Sequence, residues 1–335
     1  MGKQNVETTV VIDAGARYGM HPTWNSFGGD LNYLAFEPDP QEAQRLRGLN
    51  KRPDVEILSE ALDKEAGEKE LYITKHRGYS SFLKLDSDCE WFKRYRPGEG
   101  ELESVIRVKT STIDRFASDR GLSVDFLKVD TEGTEFDVIQ GGEKQLESSV
   151  MGIRVNVNFQ SCYQGQALFS EIHSYLLGKQ FFLLNLDYFG RGVPRNSLFR
   201  KPDPLSEDWI RYGTLIATDA VWLKSYAVVM ERLDGRPEEA AYATLKYASF
   251  CLLNHAPDVG MDVLAEFVTE RGGRFSQAVC ESKLYRTLRK SCAELLGKWR
   301  VYPDNQWETI RGMFKTVFGV EMEAGSRYWE LLQSL

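Results

Sequence analysis

Cysteine and histidine are scarce in this 335-residue chain, and neither is arranged for a metal. The five cysteines (Cys89, Cys162, Cys251, Cys280, Cys292) form no Cys-x-x-Cys, and the four histidines (His21, His76, His173, His255) form no His-x-x-x-His. The common zinc-ligand spacings are therefore missing, no metal-ligand set is legible, and reduced, mostly buried thiols are expected. Long apolar runs are missing too. No stretch approaches the roughly 18 residues needed to cross a bilayer, and the polar start Met1-Gly2-Lys3-Gln4-Asn5 lacks the apolar segment of a secretory signal. Val6 stands where a myristoylation signal carries Ser or Thr. The expectation is a soluble cytoplasmic protein without a membrane span. Positive charge is in deficit: a formal net charge of −7 argues against general binding to nucleic acid, which selects basic faces. What remains is ordinary globular composition, 42% hydrophobic and 27% charged, in a chain long enough for one large core or two domains.

From residue 8 to about 223, short β-branched or aromatic runs alternate with amphipathic stretches, the pattern of strands joined by crossover helices. Thr9-Val10-Val11-Ile12 reads as a parallel strand covered on both faces, and 31–36 is a second such run. Between them, residues 20–27 fit a helix with Pro22 in its first turn. Asp39-Pro40-Gln41-Glu42 opens another, to about Leu49, with an N-cap side chain, proline at N1 and an early acid. Further strands are expected at 55–58, 70–74, 104–109, 124–129, 150–159, 181–186 and 213–223. Helices are expected at 113–120, 134–146 and 168–177, the second of them split by Gly141-Gly142. The fold class is α/β over residues 1–224, a mostly parallel sheet with helices on both faces. Beyond Lys224 the β signal vanishes, and 225–335 reads as an all-helical region broken near Pro257, Gly272-Gly273 and Pro303. Its apolar stripes at 240–253 and 283–296 fit core packing better than a partner face, with a homodimer or partner contact through this region left open. The stretch 190–204, with Arg191, Arg195, Arg200 and Lys201, reads as a basic loop or as a solvated connector.

Three segments carry chemistry. The first is strand, then Asp13-x-Gly15-x-x-x-Gly19, then helix. Gly15 lets the chain turn sharply and lets a ligand lie on bare backbone, with Ala16 and Arg17 beside it, and Gly19 permits close packing. A carboxylate at Asp13 would repel a pyrophosphate, and Gly-x-Gly-x-x-Gly is absent, so a cationic or neutral ligand such as S-adenosylmethionine fits better than a dinucleotide. The second is Ala35-Phe36-Glu37-Pro38, an acid at the next strand end about 24 residues beyond Asp13. There a carboxylate can accept two ribose hydroxyls; the plainer reading makes Glu37 a helix-start acid. Farther on, Ala61, Leu62 and Asp63 follow the third strand where an adenine would lie, although Asp63 also begins a turn. The third segment, Lys128-Val129-Asp130-Thr131-Glu132-Gly133-Thr134-Glu135, delivers acids to the carboxyl end of a strand, the crevice where open α/β sheets bind ligands. Asp130 and Glu132 are the candidates to hold a methyl acceptor or take its proton, and Glu135 reads as a helix-start acid.

Together Ile12-Asp13-Ala14-Gly15-Ala16, Phe36-Glu37-Pro38, Ala61-Leu62, Ser80-Ser81, Thr112-Ile113-Asp114-Arg115-Phe116 and the 128–135 segment resemble the FkbM family of methyltransferases over roughly residues 10–186. The segment 159–169 also looks like a branch of that family. The resemblance implies a class I fold with a seven-stranded sheet, S-adenosyl-L-methionine as cofactor, and O-methylation of a carbohydrate, glycan or secondary-metabolite hydroxyl. It implies Asp13, Gly15, Ala16, Arg17, Gly19, Glu37, Ala61, Leu62, Asp63 and Asp130 toward the cofactor. Toward the acceptor it implies Ser80, Ser81, Glu132, Asn156 and Asn158.

Two departures stand out. Relatives usually carry glutamate in the strand where this chain has Asn156 and Asn158, and asparagine hydrogen-bonds but takes no proton. The base is then Glu132 or Asp130, the acceptor is more acidic, or activity is lost. Relatives usually show asparagine at Arg17, which here could pair with the cofactor carboxylate. Two alternatives to the transferase remain: a cofactor-binding but inactive interaction protein, motivated by the asparagines, and a nicotinamide-dependent oxidoreductase on the same sheet, disfavoured by Asp13. The acceptor-shaping loops are expected at 76–85, 91–100 and 190–204.

Overall fold

The computed structural model describes residues 5–89, 91–191, 214–298, 312, 315–317 and 319. The first apolar run becomes Thr9–Ala14 (β1), buried at every position, as a strand covered on both faces requires. Leu31–Phe36 (β2) is followed by Pro40–Leu49 (α1). The Asp39 side chain accepts from the amides of Gln41 and Glu42 and so satisfies two donors that the first turn of α1 leaves unpaired. Val55–Leu58 (β3), Ala61–Leu62 (β4), Gly67–Thr74 (β5) and Leu102–Ser111 (β6) come next. Ile113–Arg120 (α2) starts on a Thr112 cap and stops at left-handed Gly121. Phe126–Val129 (β7) leads into Glu135–Gln140 (α3) and Glu143–Ser148 (α4), divided at Gly141-Gly142 as the sequence suggests. Gly152–Asn158 (β8), Phe169–Gly178 (α5), Phe181–Arg191 (β9) and Leu215–Lys224 (β10) complete the α/β part.

Seven strands form one sheet in the order β3-β2-β1-β7-β8-β10-β9. The pairs β2–β3, β1–β7 and β7–β8 are parallel, whereas β10 runs antiparallel to β8 and β9. This is the expected mostly parallel sheet. One buried cluster joins its strands through Ile12, Phe36, Leu127, Ile153 and Trp222 to Phe116, Ile139 and Leu176 of the helices. Strand order reverses direction at β1, flanked by β2 and β7. The crevice outside the carboxyl ends of those three strands is where such sheets take ligands.

Residues 70–74 and 104–109 are strands as expected, and with β4 they form a separate three-stranded sheet in the order β4-β6-β5. The structure corrects one expected element. The expected helix at 20–27 is a short 3₁₀ helix of five residues, Pro22–Ser26. Thr23, Asn25 and Ser26 are residue types that favour turns over helix interiors, and Gly28-Gly29 follow at once, so no α-helix is sustained.

The chain forms two compact units. One holds Val10–His21 and Asn32–Ser225; the other holds Asn5–Thr9, Pro22–Leu31 and the described residues from Tyr226 onward. The second is helical: Tyr226–Arg232 (α6), Pro237–Leu253 (α7), Pro257–Thr269 (α8), Gln277–Glu281 (α9) and Lys283–Lys298 (α10). Trp24 packs on Phe250 with ring centroids 6.0 Å apart, and Lys246 donates to the carbonyl of Thr8. Pro303 and residues 192–204 of the basic stretch lie outside the described residues, while Gly190 and Arg191 end β9. No described helix is long and apolar enough to cross a membrane.

Candidate active site

The glycine loop is pinned by its backbone. Gly15 sits at φ +84°, and a Cβ on it would stand 1.8 Å from the carbonyl oxygen of Asp130, so only glycine lets β1 turn this close to the end of β7. The amides of Gly15 and Ala16 both donate to the carbonyl of Phe36, which ties the loop to β2. Gly19 also has positive φ, +82°.

Asp13 is where the structure departs most from the sequence reading. Its carboxylate is fully buried and does not line the ligand cleft. Tyr33 Oη donates to Oδ2 (2.5 Å), and Lys128 Nζ stands 3.1 Å from Oδ1. The acid is neutralised inside the protein, because an isolated buried carboxylate would be too costly to keep. Lys128 also donates to the carbonyl of Gly15 (3.2 Å) and lies 3.6 Å from Asp130 Oδ2. Burial works against its charge, yet Asp13 and Asp130 together hold its pKa above the ordinary lysine value.

A cleft with about 710 Å³ of empty space, open to solvent, lies over the carboxyl ends of β1, β2 and β7. Gly15, Arg17, Glu37, Ala61, Leu62, Ser80, Ser81, Asp130 and Glu132 all line it, nine of the candidates brought together from five separate segments. Phe36, Leu71 and Phe82 add apolar wall. Glu37 is nearly buried; its Oε1 accepts from the Asp39 amide (2.8 Å), and among the described residues no protein donor takes Oε2. Burial pushes its pKa up to about 7, opposed by that amide and by Arg17. Arg17 faces Asp39 (3.9 Å) and Glu42 (4.0 Å) at the start of α1, so its charge is already met by acids on the Glu37 side. Ala16, Gly19 and Asp63 do not line the cleft. Asp63 is consumed by the Lys64 amide and by Lys69 Nζ (2.6 Å), which favours the turn reading of that residue.

Asn156 and Asn158 line a second cleft with Tyr79, Trp91, Phe92, Cys162, Tyr163 and Glu132. Glu132 alone among the described residues lines both. It holds a left-handed backbone, φ +56°, which is uncommon for a residue with a side chain and persists only where the surroundings enforce it. Tyr163 Oη donates to its Oε2 (2.7 Å), and Gly133 packs against the same tyrosine ring. Burial, then the neighbouring Asp130, raise the Glu132 pKa well above the carboxylate norm. Glu135 serves the helix start: its carboxylate accepts from the amides of Thr131 (2.8 Å) and Gly133 (3.0 Å) and so shapes the loop that presents Glu132.

Sequence reading missed Asp219. Antiparallel pairing sets it opposite Asn156, whose Nδ2 donates to Oδ1 (3.0 Å), while Arg154 holds Oδ2 (2.9 Å) and reaches Asp187 (2.8 Å). A carboxylate only accepts hydrogen bonds, so the amide of Asn156 is oriented and its Oδ1 is the atom left for a ligand. Asn156→Asp would set two carboxyl groups against each other, and one would keep a proton above its usual pKa. The folded state then binds more protons than the unfolded chain, so the variant should match the parent best near pH 5. It should lose stability relative to the parent as pH rises to 8, as urea unfolding would record.

The FkbM methyltransferase domain family matches residues 13–188, more than half of the chain, with all of the first cleft's lining and all of the second's except Gly190, Ile216 and Ala217. The chain belongs to the FkbM methyltransferase family. Among proteins of known role, the 2-O-methyltransferase NoeI of Sinorhizobium fredii (strain NBRC 101917 / NGR234) is 26% identical over 183 residues, covering 50% of this chain and 68% of NoeI. Among solved structures, the methyltransferase FkbM of Methylobacillus flagellatus KT is 13% identical with a TM-score of 0.36. That match takes in 65% of this chain and spans 44% of the solved one.

Proposed function

We propose that this FkbM-family methyltransferase transfers the methyl group of S-adenosylmethionine to a hydroxyl of a carbohydrate, glycan or secondary-metabolite acceptor, with the cofactor in the first cleft and the acceptor in the second. The observation that carries this reading is Glu132, a carboxylate of raised proton affinity common to both clefts. NoeI's description as a 2-O-methyltransferase supports the oxygen nucleophile. The donor set suits the cofactor: Glu37 for the ribose diol, Leu62 and Phe82 for the adenine, and the acid Asp130 for a cationic centre. When bound, the cofactor supplies an electrophilic methyl on a sulfonium, itself a good leaving group.

The protein's share is then alignment, exclusion of water and removal of one proton. Asn156 Oδ1 accepts from the acceptor and orients it, the aromatic rings of Tyr79, Trp91 and Phe92 wall its ring, and Glu132 takes the hydroxyl proton as the oxygen becomes nucleophilic. We assign transfer to residues 1–224 and treat 225–335 as a separate helical region.

Calorimetry with S-adenosylmethionine tests the cofactor half. Micromolar affinity is expected at pH 8. Because the diol needs an ionised Glu37 and that group titrates at about 7, affinity should fall below pH 7 by up to about tenfold per pH unit. Glu37→Gln should weaken binding by roughly 10- to 150-fold, the value of charged hydrogen bonds of about 1.5–3 kcal/mol, and should flatten the pH dependence. Tight, pH-independent binding by the variant would remove Glu37 from the site.

A further inference from the structure

Lys128 does not line the cofactor cleft, yet it touches two groups that do. Its ammonium donates to the carbonyl of Gly15 at 3.2 Å and stands in ion-pair range of Asp13 Oδ1 at 3.1 Å and Asp130 Oδ2 at 3.6 Å. It therefore fixes the glycine loop of β1 and the acid after β7 to one another from behind the cleft wall. It also sets their charge. Asp13 and Asp130 flank the one cation, and of the three only Asp130, with 37% of its side chain exposed, meets the cleft.

We propose that Lys128 is a positioning residue for the cofactor, holding Asp130 ionised beside Gly15 so that the cleft favours the sulfonium form over the demethylated, uncharged-sulfur product. The proposal rests on the cofactor reading above. Its physical core is that a carboxyl crowded by other acids at one site keeps its proton unless a cation stands beside it, and Asp219, Glu132 and Glu135 crowd Asp130 even without Asp13. Asp130 is faced by Asp13 from β1, Asp219 from β10, Glu132 from its own loop and Glu135 from the start of α3, all acids; Arg154 pairs with Asp219, and Lys128 is the cation beside Asp130 itself. His21, near Lys128 and Arg154, is pushed toward its neutral form by burial and by those cations, so it adds no compensating charge. Without Lys128, Asp130 takes up a proton and a neutral carboxyl discriminates little between a sulfonium and a thioether.

The test is calorimetric and needs no acceptor. S-adenosylmethionine and S-adenosylhomocysteine are titrated into the full chain and its variants between pH 5.5 and 8.5. Lys128→Met alone leaves Asp13 buried and unpaired, so the informative variant is Asp13→Asn with Lys128→Met, which removes both charges of the buried pair and keeps an acceptor for Tyr33. At pH 7.5 its ratio of S-adenosylmethionine to S-adenosylhomocysteine affinity should fall about fivefold or more. The pH below which S-adenosylmethionine binding weakens should move up by roughly one unit or more. Lys128→Arg, which keeps the charge, should retain most of the parent ratio. Asp130→Asn, which reaches the same end from the cleft side, should lower the ratio with Lys128 intact. A folded double variant, or Asp130→Asn, with the parent ratio and pH profile would overturn the proposal. Failure of the parent to bind either ligand would instead remove the cofactor reading on which it stands.

Discussion

Glu132→Gln is expected to lower turnover by about 10²- to 10⁴-fold, the usual contribution of a positioned general base, while cofactor affinity changes by less than about threefold. Glutamine keeps the length of the side chain and still accepts the Tyr163 hydrogen bond now made at 2.7 Å, so the loop should hold its shape. What it loses is proton affinity. In the parent, burial and Asp130 raise the Glu132 pKa, and a base must be ionised to act. The rate should therefore climb with pH through that raised pKa, and the acid limb should vanish in the variant. The measurement is initial rate with tritium-labelled methyl donor over a panel of neutral glycosides and other hydroxyl compounds, with single-turnover kinetics on any acceptor found. A loss below tenfold, with the acid limb intact, would move the base to Asp130 or Asp219.

That assignment also shows what a sequence can and cannot carry. β1, β2 and β7 are legible because parallel strands covered on both faces are apolar at every step, and α1 because Asp39-Pro40 announces its start. Much of the lining of the first cleft is legible with them, since Gly15, Glu37 and Asp130 sit at the carboxyl ends of three adjacent strands. The separate sheet of β4, β5 and β6 was not legible: a strand pattern fixes a pleat, not which sheet it joins. Asp13 is not legible as a buried ion pair from its own segment, because its partner Lys128 lies 115 residues on. The signal was present in Phe126-Leu127-Lys128-Val129, a lysine inside an otherwise apolar buried strand, which requires a counter-charge. Asp219 had no such signal. Its approach to Asn156 arises from the antiparallel register of β10 on β8, which depends on the whole fold.

The glycine loop supplies the second large effect, and it separates two physical reasons for a glycine. Gly15→Ala faces both: a left-handed backbone costs an ordinary side chain roughly 1–2 kcal/mol, and the new Cβ would lie 1.8 Å from the backbone oxygen of Asp130, which cannot rotate away. β1 and β7 would have to part where Lys128 also binds the Gly15 carbonyl. A loss of about 3 kcal/mol or more is expected, in the range reserved for backbone strain and buried clashes, together with loss of cofactor binding. Gly19→Ala meets only the first cost, since its φ is +82° but the nearest atom to its Cβ is 3.9 Å away; about 1–2 kcal/mol should follow. Gly48→Ala, in α1 with open space around it, should stabilise slightly by helix propensity. Urea unfolding of the three variants at constant m-value gives the ranking directly. Equal losses at Gly15 and Gly19 would mean that β1 is not held against β7 by the contact described, and the shared wall between glycine loop and Asp130 would go with it.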